Sequence, residues 1–332
     1  WYEYYENGKI YEKGLYLSGR VMGEGSAFYD NGALMYRLLY EDSELNGESV
    51  EYDDNGIILK KENYLHGKKN GESFSYFTSG TIKEIANYKN GLFHGKRLIY
   101  AEQGNLLEEA SYLDDELNGE YITYYASGQV KIKAHYKNGK LHGEWVNFSD
   151  KNNEGIVAFE NPKVRKVFMN YEDGKKRQVI KYYDKDKICE EAKYNESEEP
   201  HGEYILFYEN GKIKEKENYE NGIIYGNAFK YFDSGDVKEK IVYDDFGKIL
   251  EWSEYYVNGQ QKVHKKYENN MLQGKLITYY NSGNIEKIEY YKNDRLFGEQ
   301  LSYYENGALL YRAHYDEYGI RKKIEYYEKG QI

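Results

Sequence analysis

Three histidines, His94, His142 and His201, each stand directly before a glycine that recurs at a fixed period, and Cys189 is the only thiol in the sequence. Imidazole and thiolate are the groups that hold zinc or act as nucleophiles, so their spacing decides whether such chemistry is available. His94 and His142 are two repeats apart, about 20 Å at the spacing of neighbouring strands, too far to share a metal. Cys189 has no histidine nearby at a motif spacing and reads as a packed, inert thiol. The acidic runs Asp114-Asp115-Glu116 and Asp244-Asp245 lack the alternating ligands and closing glutamate of a calcium loop. Every glycine is accounted for by turns, so none builds a phosphate-cradling loop before a helix. The expectation is no catalytic residue, no metal site and no cofactor: the chain reads as non-enzymatic.

Two other groupings suit recognition rather than reaction. Lys163, Arg165 and Lys166, followed by Lys175-Lys-Arg177, form the densest basic stretch of a chain whose net charge is -11. Tyrosine is far more abundant, at 42 of 332 residues. The tyrosines are not scattered.

They recur with a period of 24 residues. Glycine returns at Gly23, Gly47, Gly71, Gly95, Gly119 and Gly143, and again at Gly202, Gly226, Gly274 and Gly298. A fixed period of this length marks an array in which each unit buries its apolar side against its neighbours. With the glycine as offset 0, an aromatic stands at offset 5 from Tyr4 and Phe28 to Tyr326, and glycine usually stands at offset 9. Tyrosine recurs at offset 17, as in Tyr16, Tyr40, Tyr136 and Tyr219, and offset 11 is mostly aliphatic. Asn-Gly and Ser-Gly pairs bound two short strands per unit, so the unit is a β-hairpin. A three-residue first loop closed by a left-handed glycine places offset 5 opposite offset 11. That pairing leads to the expectation that offsets 3, 5, 11, 15 and 17 form the packing face. Offsets 2, 4 and 6 then form the variable face that recognises something. All three tryptophans, Trp1, Trp145 and Trp252, occupy offset 2.

The spacing breaks once, with 59 residues between Gly143 and Gly202, and both prolines, Pro162 and Pro200, lie inside the break. This divides the chain into a repeat array over 1–151, an irregular insertion over 152–177 that could serve as a hinge or recognition loop, and a second array over 178–332. Asn152 and Asp186 replace the offset 9 glycine there. The expected fold is all-β: an elongated single-layer antiparallel sheet of stacked hairpins, about fourteen units of 24 residues.

The acidic balance argues against nucleic acid or anionic lipid as a partner of the whole surface and suits a basic protein. No apolar run reaches the length of a membrane span. Trp1 falls inside a repeat, so the native N-terminus is expected upstream, leaving cytoplasmic and exported locations both open. End strands around Trp1 and Ile332 could pair edge to edge with another copy.

The unit Gly-Glu-x-x-x-Tyr-Tyr-x-x-Gly-x-Leu/Ile, with the later Tyr-x-Asn-Gly-x-Leu-x-Gly, is seen in Gly202–Gly211 and Tyr136–Gly143. It resembles the MORN repeat, most closely the bacterial variant annotated in YwqK-type antitoxins. The resemblance implies an all-β stack of hairpins used for protein contact, membership of a toxin–immunity pair, and membrane or lipid association in some members. The leading expectation is a protein-binding scaffold centred on Trp145, Tyr121, Tyr125, Tyr183, Tyr204 and Tyr208, with Lys163, Arg165 and Lys166 as a basic contribution. The alternatives are an immunity protein that neutralises a basic toxin, and an adhesin that stacks sugars on the rings.

Overall fold

The computed structural model describes residues 1–150 and 163–327. Within them lie thirty-two β-strands and one 3-10 turn, Asp184–Asp186, and the strands pair antiparallel. The hairpin of Glu116–Tyr124 and Val130–Lys137 shows how one unit is built. At its first turn the Tyr125 N–H donates to the Gln129 carbonyl and the Gly128 N–H to the Tyr125 carbonyl, each at 2.8 Å. Ala126, Ser127 and Gly128 are therefore the loop, and Gly128 sits at φ +81°, where a side chain would be strained. Tyr124 opposes Val130, as the three-residue loop requires. The second turn is Asn138-Gly139, both at positive φ, the two-residue hairpin turn that matches strand twist.

The expected division of faces is overturned by one residue. Thr123 opposes Ile132 while Tyr124 opposes Val130, so Lys131 is extra. The same extra residue falls at Lys83, Lys214 and Lys238 in other units. One added residue reverses the in–out alternation of everything beyond it. Offsets 13, 15 and 17 consequently share a face with offsets 0, 2 and 4, not with 3, 5 and 11. Tyr121 opposes Ala134 and Gly119 opposes Tyr136. A further irregularity precedes the next unit, between Ala134 opposite Trp145 and Tyr136 opposite Leu141. The period-setting glycine lies in it. At Gly119, φ is +111° and an added Cβ would come within 3.1 Å of the Ser111 Cβ.

Packing follows the corrected faces. The small offset 15 residues Ala86, Ala110, Ala134, Ala192 and Ala313 are among the most buried in the chain. Ala110 opposes Arg97 on one side and Tyr121 on the other, and Ala134 opposes Tyr121 and Trp145. A methyl is all that fits beneath two large offset 2 side chains. The opposite face carries the residues of offsets 3, 5 and 11, most of them half-buried and Val50 fully buried, and cross-strand ion pairs such as Lys133–Glu120 at 3.0 Å and Arg37–Glu48 at 2.7 Å. Such exposed pairs are worth ~1 kcal/mol or less each.

Among the described residues the chain divides into two compact units: 1–150 with 168–174, and 163–167 with 175–327. Residues 152–162 of the expected insertion, including Asn152 and Pro162, lie outside the described residues, as does Ile332. The rest of the insertion contains the strands Lys166–Glu172 and the start of Lys175–Tyr182. In the second unit some second turns adopt the three-residue form, with the Gly247 and Gly319 N–H groups donating to the Asp244 and Asp316 carbonyls at 3.1 Å. Among the described residues no helix is long and apolar enough to cross a membrane.

Candidate functional site

The face bearing offsets 0, 2, 4, 13, 15 and 17 gathers aromatic rings. In the first unit Tyr88 stacks on Phe93, with centroids 4.6 Å apart and planes at 29°, and Phe93 continues to Tyr112 at 5.3 Å. Tyr121 meets Tyr136 edge-on at 5.8 Å. In the second unit Tyr204 meets Tyr219 edge-on at 6.4 Å. Pairs of this geometry contribute about 0.5–1.5 kcal/mol beyond their burial. Carboxylates run between the rings at offset 13. Arg97 Nε donates to Glu84 at 2.6 Å, the Tyr121 hydroxyl to Glu108 at 3.1 Å, and Trp252 Nε1 to Glu239 at 2.8 Å. Each bond joins an offset 2 donor to the offset 13 carboxylate of the preceding repeat. Burial first, and then the neighbouring Glu108 charge, pushes the Tyr121 phenol up to about 12. Burial also raises Tyr64, Tyr204 and Tyr219. These phenols stay neutral at physiological pH.

The residues expected from sequence to form a partner site fall into several groups. Tyr121 and Trp145 lie on the ring-bearing face of the first unit, on either side of Ala134. Tyr125, Tyr183 and Tyr208 are engaged internally. Their hydroxyls donate to the backbone carbonyls of Phe148, Phe207 and Tyr231 in the next repeat, at 2.7, 3.0 and 2.6 Å. Tyr5, Tyr29, Tyr256 and Tyr280 make the same bond. The extra residue of the hairpin often adds a lysine over the same ring, as Lys131 does for Tyr125 at 5.7 Å and Lys214 for Tyr208 at 6.0 Å. Offset 6 thus links successive repeats.

In the second unit Tyr204, Tyr194 and Tyr219 line a cavity of about 150 Å³ beside Pro200. Lys163, Arg165 and Tyr183 do come together, around a cavity of about 370 Å³ with Lys187 and Glu209. Lys163 pairs with the Glu209 carboxylate, and Lys187 Nζ donates to the Glu209 carbonyl at 3.0 Å. Lys166 is turned to Asp186 and to the Tyr182 ring, 4.1 Å from its centroid. Burial pushes the Cys189 thiol up to about 11, away from the thiolate a nucleophile needs. His94 and His142 each face one aspartate, Asp114 at 3.2 Å and Asp173 at 3.4 Å. Among the described residues no group of three His, Cys, Asp or Glu is placed to hold a metal.

Sequence reasoning missed the partnership of offsets 2, 13 and 17. A signal for it exists in the constant separation of 13 residues between the donor and its carboxylate.

Hairpins that recur every 24 residues with the same first turn, several of them linked by the same hydroxyl bond, define a tandem β-hairpin repeat protein. The chain belongs to the MORN repeat variant family, whose profile matches residues 1–17, 45–66, 69–90, 93–114, 117–138, 200–221, 272–293 and 298–317, together about half of its length. No curated protein matches it. Among solved structures it is similar to a part of TcdB2-TccC3, with 12% identity over 97% of this chain and 20% of that one, at a TM-score of 0.17. The Tc holotoxin pore of Photorhabdus luminescens gives 12% identity over 96% of this chain and 22% of that one, at a TM-score of 0.14. This chain therefore spans about a fifth of the length of those chains.

Proposed function

We propose that this MORN repeat protein is a non-enzymatic protein-binding scaffold, and that it binds through the ring-bearing face of its hairpins. The observation that carries this reading is the run Tyr88–Phe93–Tyr112, half-buried on a sheet face beside the carboxylates Glu84 and Glu108. Aromatic rings of this kind are the residues that anchor protein interfaces. The net charge of -11 favours a basic partner. Immunity against a basic toxin is the narrower version of the same reading.

Immobilised wild-type chain should retain a specific protein from the source cell. The double variant Phe93→Ser, Tyr112→Ser should retain roughly tenfold less, with an unchanged β-type circular dichroism spectrum. Equal retention by both, or no protein retained by either, would overturn the proposal.

A further inference from the structure

Along the ring-bearing face, the repeats starting at Gly95, Gly119 and Gly143 fill offset 2 with Arg97, Tyr121 and Trp145. Such a side chain lies over the offset 15 residues of the strands on either side, which is why Tyr121 is flanked by Ala110 and Ala134. The repeats starting at Gly23, Gly47 and Gly71 depart from this arrangement, with Gly25, Ser49 and Ser73 at offset 2, and in the one starting at Gly47 the offset 2 residue lines a cavity. Ser49 is opposed by Glu62. Leu38 and Glu62 stand at offset 15 and regain only part of the missing volume. The result is a cavity of about 220 Å³, walled by Tyr36, Leu38, Leu45 and Tyr64 with Ser49 among its lining residues.

The polar groups of this cavity satisfy one another. Lys60 pairs with Glu51 at 2.8 Å, and Lys69 with Glu62 at 2.6 Å. The Tyr36 and Tyr64 hydroxyls donate to the same two carboxylates at 3.3 and 2.8 Å. Charge is balanced, so neither a cation nor an anion is called for. Two tyrosine rings and two leucines remain as the binding walls. Carboxylates have about four acceptor positions, so Glu51 and Glu62 retain capacity for one more donor.

We propose that this cavity is an anchor site for an aromatic side chain, tyrosine or tryptophan, of a protein partner. The chain itself indicates the occupant. Where later repeats supply their own ring at offset 2, its polar end bonds the offset 13 carboxylate of the preceding repeat, as Tyr121 does with Glu108 and Trp252 with Glu239; here that offset holds Tyr36, and the carboxylates lining the cavity are Glu51 and Glu62. Here the ring must come from outside. A dry apolar cavity of about 150 Å³ already binds benzene, so the larger space suits an indole or phenol ring. That the ring arrives on a protein rests on the scaffold reading, whereas the affinity for an aromatic ring does not.

Indole is the probe, titrated into the full chain and followed by NMR. The expected result is saturable binding with nuclear Overhauser contacts to the Leu38 and Leu45 methyls, weakened roughly tenfold or more in Ser49→Tyr, whose new ring fills the space. Should Ser49→Tyr not fold, the contacts in the wild type decide alone. Binding unaffected by Ser49→Tyr, indole contacts that avoid Leu38 and Leu45, or no saturable binding would overturn the site. If the scaffold reading alone were wrong, no partner would be captured while indole still bound. If only this site were wrong, a partner sensitive to Phe93 and Tyr112 would be captured without indole binding.

Discussion

A tyrosine hydroxyl aimed at the backbone of the next repeat is the smallest unit of cohesion in this chain. The Tyr125 hydroxyl reaches the Phe148 carbonyl at 2.7 Å, and with it the ring spans the gap between consecutive first turns. Tyr125→Phe keeps the ring and removes only that bond, so unfolding should cost about 1 kcal/mol less in the variant. Tyr125→Ser also removes the ring packing and should lose about 2–4 kcal/mol. Urea denaturation of the three proteins checks the order; equal stability of wild type and Tyr125→Phe would show the bond to be inert. Phe77 and Phe232 occupy the same offset without a hydroxyl, which shows that the array tolerates losing the bond at some positions. The sequence places offset 6 in the hairpin and leaves its inter-repeat bond unseen. The acceptor is a backbone carbonyl 23 residues away, and carbonyls leave no mark on composition.

At the level of the hairpin, two glycines do different work. Gly143 has φ +81° with open space where a Cβ would stand, whereas Gly119 combines φ +111° with a neighbour 3.1 Å away. Gly143→Ala should cost about 1–2 kcal/mol from backbone strain alone. Gly119→Ala should cost more, since Ser111 must also give way. Thermal melts of the two variants test this; a Gly119→Ala protein no less stable than Gly143→Ala would refute the close-approach argument. Much of the hairpin was legible in the residues. The loop length, the left-handed Gly128 and the opposition of Tyr124 and Val130 all follow from glycine and aromatic spacing. The extra residue was not legible. Its position holds Lys131 in one repeat and Lys83 in another, but Leu107 and Met35 elsewhere, because a bulge with negative φ asks for no particular side chain. That single unmarked residue puts offsets 15 and 17 on the face of offsets 2 and 4, and so adds Tyr88, Tyr112 and Tyr136 to the candidate site.

For the whole molecule, local pairing is the governing fact: among the described residues the strands pair within their own repeat or with the adjoining one. Stability in such arrays is close to a sum over units and their interfaces. Deleting residues 96–119 joins Gly95 to Glu120 with every offset preserved. The shortened chain should keep its β-type circular dichroism spectrum and melt cooperatively, with a midpoint lowered by roughly 5 °C or less. A disordered product would show that the repeats are not interchangeable. The bulge at Lys131 also bears on how such an array diversifies. Loss of the Lys131 codon would remove the bulge and leave Ile132 opposite Thr123 and Ala134 opposite Tyr121, with the turns on both sides intact. A lineage built this way can gain or lose a residue beside the first turn without changing what either surface displays.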